Sequence, residues 1–196
     1  MAASERNETT REEFRTQVAA LDQRRFIFVD GTSMHTAMAR RYARAPRGQR
    51  AYGVVPRNHG RRVSVIGALG VQGLVATMSV DGAVDTGVFN VFVERGLVPV
   101  LRPGDLVILD NLSVPHASRI EQEVSTVHGT VRFLPSYSPD FSPIEPCWSK
   151  IKTGLRTAAA RTRRRLETAL TKAFCTVQPD DSLAWFRHCG YLVSSE

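Results

Sequence analysis

Two short apolar runs, each ending in an aspartate, most limit the folds open to this sequence. Residues 25–30 read RFIFVD, and residues 106–110 read LVILD. Continuous rather than alternating hydrophobicity is typical of strands that are buried on both faces of a sheet. The two runs therefore predict central strands with a covering layer on each side.

The other elements surround these two strands in a mixed order. Residues 63–69 and 74–80 flank the turn Gly-Val-Gln-Gly and predict an antiparallel hairpin. We expect one more strand over 130–134, a loop over 31–61 with one short strand near 51–55, and helices over 11–22, 86–95, 117–124, 144–155 and 163–177, plus a short helix that holds Trp185 and Phe186. The helix over 11–22 would begin at a Thr10/Glu13 capping box, and Asp85 would cap the helix over 86–95. Strands followed by alternating helices and strands predict an α/β fold, with a mixed sheet and helices on both faces.

Positive charge is segregated along the chain. The formal net charge is +7, yet no acid occurs between residues 31 and 80 or between residues 146 and 166. Arginine outnumbers lysine 23 to 3, and the guanidinium group pairs bidentately with phosphate. This pattern favours nucleic-acid binding over a merely soluble basic surface. The candidate phosphate contacts are Arg47, Arg50, Lys150, Lys152, Arg161, Arg163, Arg164 and Arg165.

Three carboxylates could meet at one edge of the sheet. Asp30 and Asp110 end the two apolar strands, and Glu145 lies in the first turn of the helix over 144–155. Ligand sites in open α/β sheets lie beyond the carboxyl ends of the strands, and clustered carboxylates suit Mg²⁺ or Mn²⁺. From the residues alone, an alternative stays open: Asp30 and Asp110 could only form turns, and Glu145 could only favour the helix dipole. Asp140, in the loop before this helix, is a less favoured third ligand.

Several motifs in combination resemble a known family. They are Phe-Val-Asp30, the stretch APRGQR over 45–50, Leu-Asp110-Asn-Leu-Ser, the block FLPSYSPDFSPIE over 133–145, Trp148-Ser-Lys-Ile-Lys and the stretch WFRHCGY over 185–191. The sequence from about residue 24 to residue 192 resembles the catalytic half of a DDE transposase, of the bacterial insertion-sequence branch of the mariner superfamily. The 34 residues between Asp110 and Glu145 match the interval of that superfamily.

The resemblance implies a ribonuclease H-like fold over residues 23–196, preceded by an arm over 1–22. It implies that Asp30, Asp110 and Glu145 are catalytic and bind two Mg²⁺ or Mn²⁺ ions. The reactions implied are hydrolysis of a phosphodiester at transposon ends and attack of the freed 3′-hydroxyl on target DNA, commonly at TA. A homodimer is implied, as is a partner: an upstream helix-turn-helix half, for which residues 1–22 are too short.

The sequence departs from the family pattern at two positions. Gly31 stands where the family usually has a second acid, and His116 follows Asp110 about one residue later than expected. His116 and Asn111 are candidates for supporting the metal ligands. Together with the missing helix-turn-helix half, these departures keep a second function open: a non-catalytic DNA-binding or assembly remnant of a transposase. A weaker alternative is a ribonuclease H-like nuclease acting on RNA–DNA hybrids.

Other features exclude several classes of protein. No apolar run reaches the roughly 18 residues of a membrane span, and the first residues lack the apolar segment of a secretory signal. Three widely spaced cysteines indicate reduced thiols and a cytoplasmic protein. The resemblance implies a bacterial protein that is associated with the nucleoid when it is bound to DNA. No Walker motif is present, so use of ATP is not expected.

Overall fold

A computed structural model describes residues 6–58, 60–110 and 117–193. Its strands are β1 (Phe26–His35), β2 (Arg62–Gly70), β3 (Gly73–Asp81), β4 (Leu106–Asp110) and β5 (Thr130–Leu134). Its helices are α1 (Glu8–Ala19), α2 (Thr86–Phe92), α3 (Ala117–Ser125), α4 (Ile144–Ala158), α5 (Arg163–Phe174) and α6 (Pro179–His188).

The five strands form one mixed sheet in the order β3-β2-β1-β4-β5. β1 is antiparallel to β2 and β2 to β3, whereas β1–β4 and β4–β5 are parallel pairs. The predicted hairpin and the predicted mixed sheet are therefore both confirmed. The turn of the β2–β3 hairpin needs Gly73, whose φ of 114° lies in a region that other residues rarely adopt.

The two central strands are buried on both faces, as their apolar runs predict. Phe26 and Phe28 of β1 pack into one core with α1, α4, α5 and α6, and Ile27 and Val29 pack into the other core with α2 and α3. The β4 residues divide between the same two cores. Successive side chains of a strand point to opposite faces, so one continuous apolar run can supply two cores.

Four local predictions need correction. β1 does not end at Asp30 but runs to His35, because Met34 is fully buried and eight residues pair with β2. No strand occurs in the described residues 51–55. Helix α1 begins at Glu8, since the Asn7 side chain, rather than Thr10, accepts the capping hydrogen bond. Helix α5 ends at Phe174, before residue 177. The predicted Asp85 cap is confirmed, since its side chain accepts from the Val88 N–H at 2.8 Å.

Candidate active site

Two aspartates lie side by side where the two central parallel strands separate. Val29 pairs with Leu109 in the parallel β1–β4 register, so Asp30 and Asp110 are the next residues on neighbouring strands. β4 ends at Asp110, whereas β1 continues past Asp30 against β2 alone. The two carboxylates thus lie just beyond the last β1–β4 pair, at the point where open α/β sheets place ligands.

Glu145 approaches the same point from α4. It is the second residue of that helix, and its backbone N–H donates to the Ser142 carbonyl at 3.1 Å. A cavity of about 200 Å³ brings Asp30, Asp110 and Glu145 together. Its other walls come from β1, β5 and the loop over 135–143: Val29, Leu134, Pro135, Tyr137, Ser138, Pro139 and Ser142.

The three acids share this cavity without forming a closed ligand shell. Among residues 6–58, 60–110 and 117–193, no group of three His, Cys, Asp or Glu side chains is arranged to hold a metal ion. The donor set nevertheless suits a hard divalent cation, since all three side chains are carboxylates. Mutual repulsion between them, seen at Asp30, is what a bound cation would relieve.

The raised pKa of Asp30 is the main electrostatic effect in the cavity. Burial, aided by the charges of Glu145 and Asp110, raises the pKa of Asp30 to about 6. Hydrogen bonds from the Gly31 N–H and from Trp148 lower the same pKa and offset part of this effect. The carboxylate is therefore held in a place that disfavours its charged form unless a cation is present.

Trp148 is the site residue that the sequence analysis missed. Its indole Nε1 donates to Asp30 Oδ2 at 3.0 Å, and the ring is 1% exposed. Its helical spacing with Ile144, Ile151 and Leu155 predicts core packing, which the structure also shows. The hydrogen bond joins two residues 118 positions apart, so no local pattern could indicate it.

The glycine opposite Asp30 makes room for this tryptophan. Gly67 pairs with Asp30 across the antiparallel β1–β2 register. A Cβ atom at Gly67 would lie 2.6 Å from Trp148 Cη2 and 3.0 Å from Cζ2. The close approach of the ring to the β2 backbone thus depends on glycine.

Comparison of the sequence with known protein families identifies the family of this chain. The sequence model described as DDE superfamily endonuclease matches residues 25–167, which include all three acids of the cavity. The chain belongs to the DDE superfamily of endonucleases. None of the curated proteins compared is significantly similar to it in sequence.

Solved structures similar to this DDE domain share its fold. A Mos1 mariner paired-end complex with Mn superposes with a TM-score of 0.69 at 14% identity, covering 94% of this chain and 58% of that one. The Mos1 paired-end complex with the left transposon end gives 0.71 at 16% identity, covering 96% and 61%. The isolated Mos1 catalytic domain gives 0.63 at 11% identity, covering 93% and 85%. These matches confirm the ribonuclease H-like fold, and the chain spans about three-fifths of the Mos1 chains in the DNA complexes.

The candidate phosphate contacts of this DDE domain fall into two groups. Three of them have partners within the chain: Lys150 pairs with Asp181, Arg163 with Asp81 and Glu167, and Arg161 Nη1 donates to the carbonyls of Thr36 and Met38 at 3.0 and 2.8 Å. The others lie open to solvent or partly so: Arg47, Arg50, Lys152, Arg164 and Arg165.

Three sequence predictions concern positions close to the acids. Asn111 and His116 lie outside the described residues. Asp140, the less favoured third ligand, lies outside the cavity lining and is bound by Arg11 at 2.6 Å.

No helix in the described part of the DDE domain is long and apolar enough to cross a membrane.

Proposed function

We propose that this chain is the catalytic domain of a transposase. It would cut DNA at transposon ends and join the freed 3′-hydroxyl to target DNA, commonly at TA, with Asp30, Asp110 and Glu145 holding Mg²⁺ or Mn²⁺. The observation that carries the proposal is the convergence of the three carboxylates on one cavity, inside the region that matches the DDE endonuclease family. Mos1 complexes with Mn and with Mg support the choice of cation.

The residues of the cavity have separate tasks in this proposal. Asp30 and Asp110 would hold the cations where β1 and β4 separate, and Glu145 would complete the ligand set from α4. Two such ions, when bound, polarise the phosphodiester and stabilise the attacking and leaving oxygens. Asp30 must be ionised for this role, and its pKa of about 6 places that ionisation just below neutral pH.

DNA would approach across the arginine-rich surface. Arg47 and Arg50 lie in the exposed segment between β1 and β2, and Arg164 and Arg165 lie exposed in the first turn of α5. Guanidinium groups of this kind hold phosphates without reading sequence, so the affinity should fall steeply with salt. Recognition of the transposon ends would belong to an upstream helix-turn-helix half, and pairing of two ends to a homodimer. The assignment to the bacterial insertion-sequence branch and the location on the nucleoid belong to the same proposal.

A second candidate, a DNA-binding remnant without catalysis, is favoured by one observation. The three acids do not form a metal-holding group in the described residues. The two candidates differ in whether DNA bound by the chain is also cut.

Nicking of supercoiled plasmid separates these candidates. We expect nicking by the parent chain with Mg²⁺ or Mn²⁺ and none with EDTA. Asp110→Asn should lower the rate by about a hundredfold or more, because several kcal/mol of transition-state stabilisation depend on the metal ligands. The control is Asp180→Asn, which neutralises an exposed carboxylate in the first turn of α6 and should nick like the parent. DNA that is bound by the parent chain and stays uncut would support the remnant instead.

A further inference from the structure

Helix α1 buries an arginine. Arg11 is 0% exposed, and it shares the buried face of α1 with Phe14 and Val18. A guanidinium group removed from water is costly unless its donors are paired. The match to the DDE endonuclease sequence model begins at residue 25, after this helix.

The partner of Arg11 is Asp140, in the loop that leads to α4. Arg11 Nη1 donates to Oδ1 at 3.1 Å and Nη2 donates to Oδ2 at 2.6 Å, which is the bidentate geometry of a strong pair. Partial burial alone would raise the pKa of Asp140, but the hydrogen bonds and charge of Arg11 outweigh it and lower that pKa. Arg11 Nε lies 3.3 Å from Glu8 Oε2, without the geometry of a hydrogen bond.

The next residue, Phe141, is held on several sides. The Arg11 guanidinium lies 4.0 Å from the centre of the Phe141 ring, and the Phe14 ring stacks on it at 5.8 Å. The Tyr191 hydroxyl donates to the Phe141 carbonyl at 2.7 Å. Helix α1 thus contacts both Asp140 and Phe141, and the chain after α6 also holds Phe141.

A short series of backbone hydrogen bonds connects Asp140 and Phe141 to the carboxylate cavity. The Phe141 N–H donates to the Ser138 carbonyl at 3.0 Å, and the Ser142 N–H donates to the Pro139 carbonyl at 3.0 Å. The Glu145 N–H then donates to the Ser142 carbonyl. Ser138, Pro139 and Ser142 line the cavity, so the residues that Arg11 fixes form the reverse side of its wall.

We propose that Arg11 is a positioning residue of the active site. By fixing Asp140 and Phe141, it sets the loop that forms the cavity wall and the start of α4, and through them the place of the Glu145 carboxylate. This inference rests on the proposed function. It makes metal binding depend on a helix that contributes no ligand.

The test measures Mn²⁺ binding through the fluorescence of Trp148, whose indole donates to Asp30. A Trp185→Phe background leaves Trp148 as the only tryptophan, since the chain has two. In that background we expect Arg11→Gln to weaken Mn²⁺ binding by roughly tenfold, the lower end of what loss of an outer-shell partner costs a metal site. In nicking assays kcat should fall while KM for DNA stays unchanged.

Three further variants keep the test decisive. Asp140→Asn retains one acceptor oxygen, so it serves if Arg11→Gln does not fold, and it should weaken Mn²⁺ binding in the same direction. The double variant should bind Mn²⁺ no more weakly than Arg11→Gln does, because both changes break the same interaction. Glu13→Gln, which removes an exposed charge from the same helix, should match the parent.

The outcomes distinguish this inference from the proposed function. Parent-like Mn²⁺ affinity in Arg11→Gln and Asp140→Asn, even with a lower unfolding temperature, would overturn the inference alone and leave Arg11 a purely structural residue. A parent chain that neither binds Mn²⁺ nor nicks DNA would overturn the proposed function and the inference with it.

Discussion

Replacing Asp30 with asparagine should make the metal-free protein more stable at pH 7 and at the same time abolish cleavage of DNA. The Asp30 carboxylate is buried beside Asp110 and Glu145, and its pKa is raised from 3.8 to about 6. Its charge therefore opposes folding at neutral pH unless a cation compensates it. Asparagine removes the charge and keeps an oxygen that can accept from Trp148 Nε1.

The sign of the pH dependence follows from the raised pKa. Between pH 4 and pH 6 the folded protein holds a proton on Asp30 that the unfolded chain has lost, so stability falls as the pH rises through this range. The rise of the Asp30 pKa from 3.8 to about 6 corresponds to about 3 kcal/mol, which partial solvent access reduces to roughly 1–2 kcal/mol. The gain from asparagine should therefore be present at pH 7 and absent below about pH 4.

Urea unfolding in EDTA at pH 4 and pH 8 measures this effect, with Asp180→Asn as the control for loss of a surface carboxylate. Mn²⁺ should then stabilise the parent and not Asp30→Asn, since only a ligand that binds the folded form raises its stability. A variant that is less stable than the parent at pH 8 in EDTA would contradict the electrostatic account of the cavity.

Gly67→Ala should destabilise the fold by about 2–3 kcal/mol and lower nicking as well. The added Cβ atom would lie 2.6 Å from Trp148 Cη2, and Trp148 is almost completely buried, so either the ring or β2 must move. Movement of the ring would also disturb the hydrogen bond from its indole Nε1 to Asp30. One methyl group is thus expected to affect both the core and the site.

The matched control for this prediction is Gly31→Ala, on the neighbouring strand. Its Cβ atom would meet only the Val65 carbonyl at 3.8 Å, which is ordinary contact, so stability should change by no more than about 0.5 kcal/mol. Urea unfolding gives the free energies, and plasmid nicking gives the activity. If Gly67→Ala were as stable as the parent, the tight packing of Trp148 against β2 would be refuted. Loss of stability with full nicking would show that the bond from Trp148 to Asp30 is not needed.

The sequence predicts the sheet from local patterns, and the resemblance to DDE transposases adds the expectation that the three acids meet. Continuous apolar runs identify the two doubly buried strands, and an aspartate at the end of each run marks the edge where the acids meet. The helical spacing from Ile144 to Leu155 likewise places Glu145 in the first turn of α4. These features require no knowledge of distant contacts.

The rest of the site could not be predicted, because its contacts join distant parts of the chain. Arg11 and Asp140 are 129 residues apart, and the charge of Arg11 on a short polar helix suggests a solvated residue. Arg161 and Lys150 look like free cations in the sequence, yet Arg161 donates to the Thr36 and Met38 carbonyls and Lys150 pairs with Asp181. Composition shows where cationic side chains are frequent. It does not show which of them form hydrogen bonds or ion pairs within the fold.

The central claim is that Asp30, Asp110 and Glu145 together hold a divalent cation. Calorimetric titration of the parent and of Glu145→Gln with Mn²⁺ tests this claim most directly, with Asp180→Asn as the control. We expect saturable binding by the parent and by the control, and binding at least about tenfold weaker in Glu145→Gln. Equal Mn²⁺ affinity in all three proteins would show that Glu145 is not a ligand and would contradict the account.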